Sequence, residues 1–258
     1  MSLVLQPLAS GSQGNATLIR GKQGSLLIDA GLSKKRLVER LQQVGHRAEN
    51  IQAVLLTHWH KDHTRGAGLL CRRLGIPLYA TPACMPAQKP ELLKHPHTFS
   101  PGESFEIAEF QIETHLLPHD APETVAFFIE AHDIRIGIVT DLGHSLDPDL
   151  HAKLQDLDGL LLEFNHDEEM LNKGPYPPFL KERILSNQGH LSNTQAGSLL
   201  ERSLTPRHRV LFAAHLSETN NHPSLARKQI QQSCEKAARS DLEVRLCTQD
   251  QPAKAFWF

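Results

Sequence analysis

The sequence has no C-x-x-C pair: its four cysteines, Cys71, Cys84, Cys234 and Cys247, are scattered along 258 residues. That spacing excludes a disulfide-stapled scaffold and suits reduced thiols in a cytosol, so a cytoplasmic location is expected. No apolar run approaches the roughly 18 residues of a membrane span. The start, Met1-Ser2-Leu3-Val4-Leu5-Gln6, lacks the basic residues and long apolar stretch of a secretory signal. An excess of charge of one sign is missing too. With 27 basic against 29 acidic side chains the formal net charge is −2, so no global field is available to grip a polyanion such as DNA. Any contact with nucleic acid has to come from a local patch or from bound metal. No linker, low-complexity tract or short-period repeat interrupts the chain. What remains is an ordinary soluble composition, 40% hydrophobic and 22% charged, long enough to bury a sizeable core. The one excess is histidine, of which there are 16.

Hydrophobic patterning predicts short strands through the first half: residues 3–5, 16–19, 25–28, 51–57, 78–80, 104–107, 110–116, 125–131 and 135–139. Helical spacing is expected over 33–44, where Leu37, Leu41 and Val44 share a face, and over 66–74. The second half mixes strands at 159–164, 209–213 and 243–246 with helices at 150–154, 194–204 and 224–238. Gly174-Pro175-Tyr176-Pro177-Pro178 reads as a loop leading into a further short helix. The pattern predicts an α/β sandwich of two similar halves.

The chemistry concentrates in Thr57-His58-Trp59-His60-Lys61-Asp62-His63, directly after a strand expected to be buried. Imidazole and carboxylate suit zinc, manganese or iron. A turn here can aim His58 and His60 at one point while Asp62 and His63 face another, which would load two adjacent metal sites from one loop. A merely solvated, histidine-rich loop would not be expected to repeat H-x-H-x-D-H at a strand terminus.

This motif resembles that of the metallo-β-lactamase superfamily. The resemblance implies a four-layer αββα sandwich, a single domain over residues 1–258 and a hydrolytic site of one or two divalent metals. It also implies further ligands, one per strand end: His119 in Leu116-Leu117-Pro118-His119-Asp120, Asp141 in Ile138-Val139-Thr140-Asp141-Leu142-Gly143, and His215 in Leu211-Phe212-Ala213-Ala214-His215. On that pattern one ion takes His58, His60 and His119, the other takes Asp62, His63 and His215, and Asp141 bridges them. His190 competes with His215 for its place.

Other stretches narrow the resemblance: Ser10-Gly11-Ser12-Gln13-Gly14-Asn15, Glu163-Phe164-Asn165-His166-Asp167, Gly189-His190-Leu191-Ser192-Asn193 and His215-Leu216-Ser217-Glu218-Thr219-Asn220-Asn221. Over essentially the whole chain they are similar to the YycJ (WalJ) family, whose members are linked to DNA exonuclease activity and mismatch repair. Ribonuclease Z, the β-CASP nucleases and PhnP-type phosphodiesterases are wider neighbours. Trp59 departs from the family where an acidic residue is common, and His222 where threonine is more usual.

The expected reaction is phosphodiester hydrolysis by a hydroxide bridging two metals, with zinc or manganese favoured over iron. Asp62, His190 and His166 are the candidate catalytic residues. His190 is the first choice for protonating the leaving oxygen; His166 comes second, its ring held by Glu163 or Asp167. The Ser10–Asn15 segment is either an anion-binding loop or a turn between strands. The substrate expected is nucleic acid, DNA rather than RNA, cleaved 5′ to 3′. DNA binding would call on a basic patch of Lys173, Lys181 and Arg183. The competing reading is a small-molecule hydrolase, a cyclic phosphodiesterase or a glyoxalase-II-like thioesterase. A module retaining only a structural metal fits poorly, because such sites are usually closed by four ligands.

Overall fold

A computed structural model describes residues 3–144 and 147–258. It resolves into two compact units: Met1–Leu116 with Ala121–Ile134 and Thr248–Phe258, and Leu117–Asp120 with Arg135–Cys247.

The first unit contains β1 (Val4–Ala9), β2 (Ala16–Arg20), β3 (Ser25–Ile28), α1 (Lys34–Gln43), β4 (Ile51–Leu55), α2 (Lys61–Thr64), α3 (Ala67–Leu74), β5 (Leu78–Ala80), β6 (Pro96–Thr98), β7 (Ser104–Ile107), β8 (Phe110–Leu116) and β9 (Val125–Ala131). A mixed sheet of seven strands runs in the order C-terminal strand Phe256–Trp257, β1, β2, β3, β4, β5, β6. Its pairs are antiparallel up to β3 and parallel from β3 to β6. Strands β3 and β4 are short apolar runs, buried at every position except Gln52, as parallel strands covered on both faces must be. Helix α1 starts where the Ser33 hydroxyl accepts from Arg36 N at 3.3 Å, and it turns Leu37 and Leu41 into the core. Strands β7, β8 and β9 pair antiparallel.

The second unit contains β10 (Ile134–Val139), α4 (Pro148–Gln155), β11 (Gly159–Glu163), α5 (Glu168–Lys173), α6 (Pro178–Leu185), α7 (Asn193–Ser203), β12 (Val210–Ala214), α8 (Pro223–Lys236) and β13 (Glu243–Leu246). The four strands pair in parallel in the order β10, β11, β12, β13. Strands β11 and β12 are wholly buried. Helix α7 begins with a reciprocal cap: Gln195 N donates to the Ser192 hydroxyl at 3.2 Å, and Ser192 N donates to Gln195 Oε1 at 2.9 Å.

Three differences from the sequence expectation have physical causes. Strand β6 is exposed throughout and carries no alternation to detect. The C-terminal strand is two residues long and exists because Phe256 and Trp257 pair with Leu5 and Val4, a contact across nearly the whole sequence. The run expected as strand to residue 57 stops at Leu55, because Leu56 and Thr57 already bend toward the histidine loop.

Candidate metal centre

In the first unit the site is built where β3 and β4 end together. Their register pairs Ile28 with Leu55, so Asp29 lands beside Thr57. Asp29 is buried and sits at φ +59°, a left-handed conformation that aspartate tolerates better than most residues. Its Oδ1 accepts from Thr57 N at 2.9 Å, and the Thr57 hydroxyl donates to the same carboxylate, 2.9 Å from Oδ2. His63 Nδ1 lies 2.7 Å from Asp29 Oδ2. Because the only hydroxyl proton of Thr57 goes to Asp29, Thr57 Oγ1 accepts from His58 Nδ1, 3.0 Å away. Both imidazoles are thereby fixed with the proton on Nδ1 and the lone pair on Nε2, the arrangement that an acceptor behind the ring imposes on a metal-ligating histidine.

The lone pair of His63 Nε2 faces Asn15 Nδ2 at 3.0 Å and Asp62 Oδ2 at 3.5 Å. His58 and His60 stack edge to face with ring centroids 4.7 Å apart. Asp62 and His63 lie on the single turn of α2, which places both side chains on one short rigid element. That turn is stitched to the strand ends: Ala30 N donates to His63 O at 2.7 Å, and Asn15 N to Asp62 O at 2.7 Å. The approach is so close at Gly31 that a Cβ there would come within 1.6 Å of the Asp62 carbonyl oxygen. The Ser10–Asn15 segment therefore acts first as a brace for the histidine loop. Asp29 is a further site residue that the expected ligand set does not include; its local signal is the short apolar strand that closes on Ile28-Asp29-Ala30-Gly31.

In the second unit the parallel register aligns Val139, Leu162 and Ala213, so the ends of β10, β11 and β12 fall level. Asp141, Glu163 and His215 stand at that edge, with Asp141 at φ +56° and His215 at φ +55°. One ligand atom from each of Asp141, Glu163, His190 and His215 falls within 4.8 Å of all the others. Asp141 Oδ1 is 3.6 Å from Nδ1 of both His190 and His215, and 3.9 Å from His119 Nε2. His119 Nδ1 donates to Gly189 O at 3.1 Å, which again leaves the lone pair on Nε2.

Glu163 has a different office from its neighbours. Its Oε1 accepts from His190 Nδ1 at 3.0 Å and from Leu191 N at 3.1 Å, and its Oε2 accepts from Leu142 N at 3.2 Å. Complete burial works to raise its pKa, yet His190 and His215 facing it hold the carboxyl well below the usual carboxylate range. The same pairing acts on His190: burial alone would favour the neutral ring, and the carboxylates of Glu163 and Asp141 shift it upward overall.

This corrects the expectation that Glu163 or Asp167 holds the ring of His166. Glu163 is engaged by His190 and two backbone amides, and Asp167 caps α5 by accepting from Met170 N at 2.9 Å. His166 is 1% exposed, neither ring nitrogen has a hydrogen-bond partner, and burial lowers its pKa to about 4. The three side chains on which DNA binding would call are engaged with the protein: Lys173 pairs with Glu169, Arg183 with Asp120, and Lys181 donates to Asn172 O at 2.7 Å. His222 fills the place of the more usual threonine by capping α8, its Nδ1 accepting from Ser224 N at 3.3 Å.

The donors assembled in both units are imidazoles and carboxylates, with histidines oriented by acceptors on their far nitrogens. That chemistry suits divalent transition metals. Residues 9–180 match the family model of the metallo-β-lactamase superfamily. The chain is 35% identical over 225 residues to exodeoxyribonuclease WalJ of Streptococcus pneumoniae (strain D39), covering 85% of this chain and 83% of the relative. It is 32% identical over 239 residues to exodeoxyribonuclease YycJ of Bacillus anthracis, covering 91% and 90%. Among solved structures it resembles the metallo-β-lactamase fold protein YhfI of Bacillus subtilis, with TM-score 0.73, 18% identity and 99% of each chain covered. On these matches the chain belongs to the metallo-β-lactamase superfamily: an α/β, metal-dependent hydrolase related to WalJ and YycJ.

Proposed function

We propose that the protein hydrolyses phosphodiester bonds in DNA, as a 5′-to-3′ exonuclease, at a dinuclear metal centre within a single metallo-β-lactamase-like domain of residues 1–258. The reading assigns His58, His60 and His119 to one ion and Asp62, His63 and His215 to the other, with Asp141 shared. Two divalent ions, zinc or manganese with iron also accommodated by the donor set, would neutralise charge on the phosphoryl oxygens and lower the pKa of a water from about 15.7 to about 7.

The chain's own residues supply the rest. The observation that carries the proposal is the pairing of buried Glu163 with half-buried His190 beside Asp141. Glu163 and Asp141 beside it favour the protonated form of the His190 imidazole, so His190 is the group that delivers the proton to the leaving 3′ oxygen, and Glu163 fixes the ring that does so. Asp62 doubles as ligand and as the carboxylate that orients the attacking water. His166, neutral at pH 7 and with both ring nitrogens unengaged by protein, takes second place as a donor to a phosphoryl oxygen. The names of the two relatives support DNA as the polymer. Buried, free cysteines support a reducing cytoplasm.

A small-molecule hydrolase is the alternative, favoured by the net charge of −2 and by the ion-paired state of Lys173 and Arg183. The test is hydrolysis of 5′-labelled duplex DNA with Mn²⁺, beside an Asp141→Ala control and bis(p-nitrophenyl) phosphate. Mononucleotide release that is absent in the control is the expected result. Cleavage of the small diester with DNA left intact selects the alternative.

A further inference from the structure

Arg40, on the last turn of α1, is only 6% exposed, yet the contacts of its guanidinium are poor for a buried cation. Its Nη1 donates to Gln43 Oε1 at 3.4 Å and its Nη2 to Gln249 O at 3.5 Å, both at the long limit of hydrogen bonding. Among the described residues no carboxylate lies within 4.0 Å of it. The acids that face it are turned elsewhere: Glu39 to Lys35 and Asp250 to Arg36, each at 3.9 Å. A buried arginine is ordinarily matched by a carboxylate or phosphate that takes its planar fork two bonds at a time. Here Arg40 instead lines a cleft of about 500 Å³ in the first unit, together with Lys254. The carboxamides of Gln43 and Gln251 and the apolar faces of Val44 and Pro252 complete the wall.

We infer that this cleft, independently of the metal centre, binds a phosphoryl group carried on a nucleotide, with Arg40 as the bidentate partner and Lys254 as the second cation. Of the charged side chains that line the cleft, two are cations and the one acid, Asp250, faces Arg36, a balance that favours an anion. The fork matches a tetrahedral oxyanion that presents several oxygens. The volume falls within the roughly 300–1,000 Å³ of small-ligand sites and exceeds what inorganic phosphate alone would fill. Hydrogen bonds also lead from Arg40 to the segment that braces the histidine loop. Gln249, whose carbonyl Arg40 touches, donates from its side chain to Gly14 O at 2.8 Å and accepts from Gln13 N at 2.9 Å. Asn15 then reaches His63 Nε2.

The experiment is calorimetric titration of the full chain with inorganic phosphate, a nucleoside 5′-monophosphate, and a single-stranded oligonucleotide without a 5′ phosphate. It is run on wild type, Arg40→Gln, Lys254→Gln and Asp141→Asn. The nucleoside monophosphate is expected to bind wild type and Asp141→Asn alike, and Arg40→Gln about tenfold or more weakly. Inorganic phosphate should compete with it. Arg40-dependent binding of the oligonucleotide alone would also uphold the phosphoryl site and make a strand its source. No Arg40-dependent binding of any probe, or binding lost in Asp141→Asn and kept in Arg40→Gln, would overturn the inference. Lys254 is exposed and its replacement leaves the core untouched, so if Arg40→Gln does not fold, undiminished binding by Lys254→Gln overturns it instead.

Discussion

At the scale of single residues, the candidate centre separates side chains that present lone pairs from those that aim them. Asp29 and Glu163 are aiming groups, each buried and each holding one histidine. Asp29→Ala should weaken divalent-metal affinity by about 10–100-fold, read by competition with a chelating dye, because His63 loses the acceptor that fixes its tautomer. Glu163→Gln should leave the bound metal unchanged by elemental analysis while lowering kcat by about 10²-fold or more. Loss of metal from Glu163→Gln would make Glu163 a ligand and remove the dyad from the mechanism. His208, away from the centre, sets an acid limit on stability. Burial is the main cause that lowers its pKa, and the neutral ring is satisfied at both ends, accepting from Thr205 N at 3.1 Å and donating to Leu154 O from 3.0 Å. A pKa depressed by folding means that the unfolded chain takes up the proton first. Stability is therefore full above about pH 6.5 and falls as the pH drops toward the folded value. Urea unfolding at pH 7.5 and 5.5 should show that loss, and His208→Gln should reduce the difference.

At the scale of elements, the sequence was legible wherever the signal was local. The H-x-H-x-D-H run lies within six residues, and strands such as β3, β4, β11 and β12 announce themselves as short apolar runs. The capping box of α7 is equally local, and Ser192 also donates to Glu168 at 2.8 Å. Ser192→Ala should therefore cost about 1 kcal/mol or somewhat more, measured as a lower denaturation midpoint with unchanged slope. Gly31 is different in kind. It has no positive φ to explain it, and its need for glycine comes from a loop 31 residues further along passing overhead at Asp62. Gly31→Ala should displace the Asp62 carbonyl and with it the turn of α2, reducing metal occupancy more than helix content by circular dichroism.

At the scale of the whole molecule, a ligand that binds only the folded chain stabilises it by mass action, about 2.7 kcal/mol at a hundred times Kd. Mn²⁺ or Zn²⁺ should thus raise the melting temperature of wild type and not of Asp141→Ala, and a chelator should remove both that increment and hydrolysis. The amino-acid sequence by itself determined the α/β class and the kind of donor chemistry, because short apolar runs announce strands and the H-x-H-x-D-H run sets imidazoles and a carboxylate at spacings of one or two residues. It could not determine which carboxylate serves which histidine. Glu163 lies three residues from His166 and 27 from His190, and sequence proximity favoured the wrong partner. The parallel register of β10, β11 and β12 decided otherwise, since it levels strand ends far apart in the chain, and the amides of Leu142 and Leu191 then close around Glu163. The same cause hid Asp29, 34 residues from the His63 ring it holds: the pairing of β3 with β4, formed only when both are buried, brings them within a hydrogen bond.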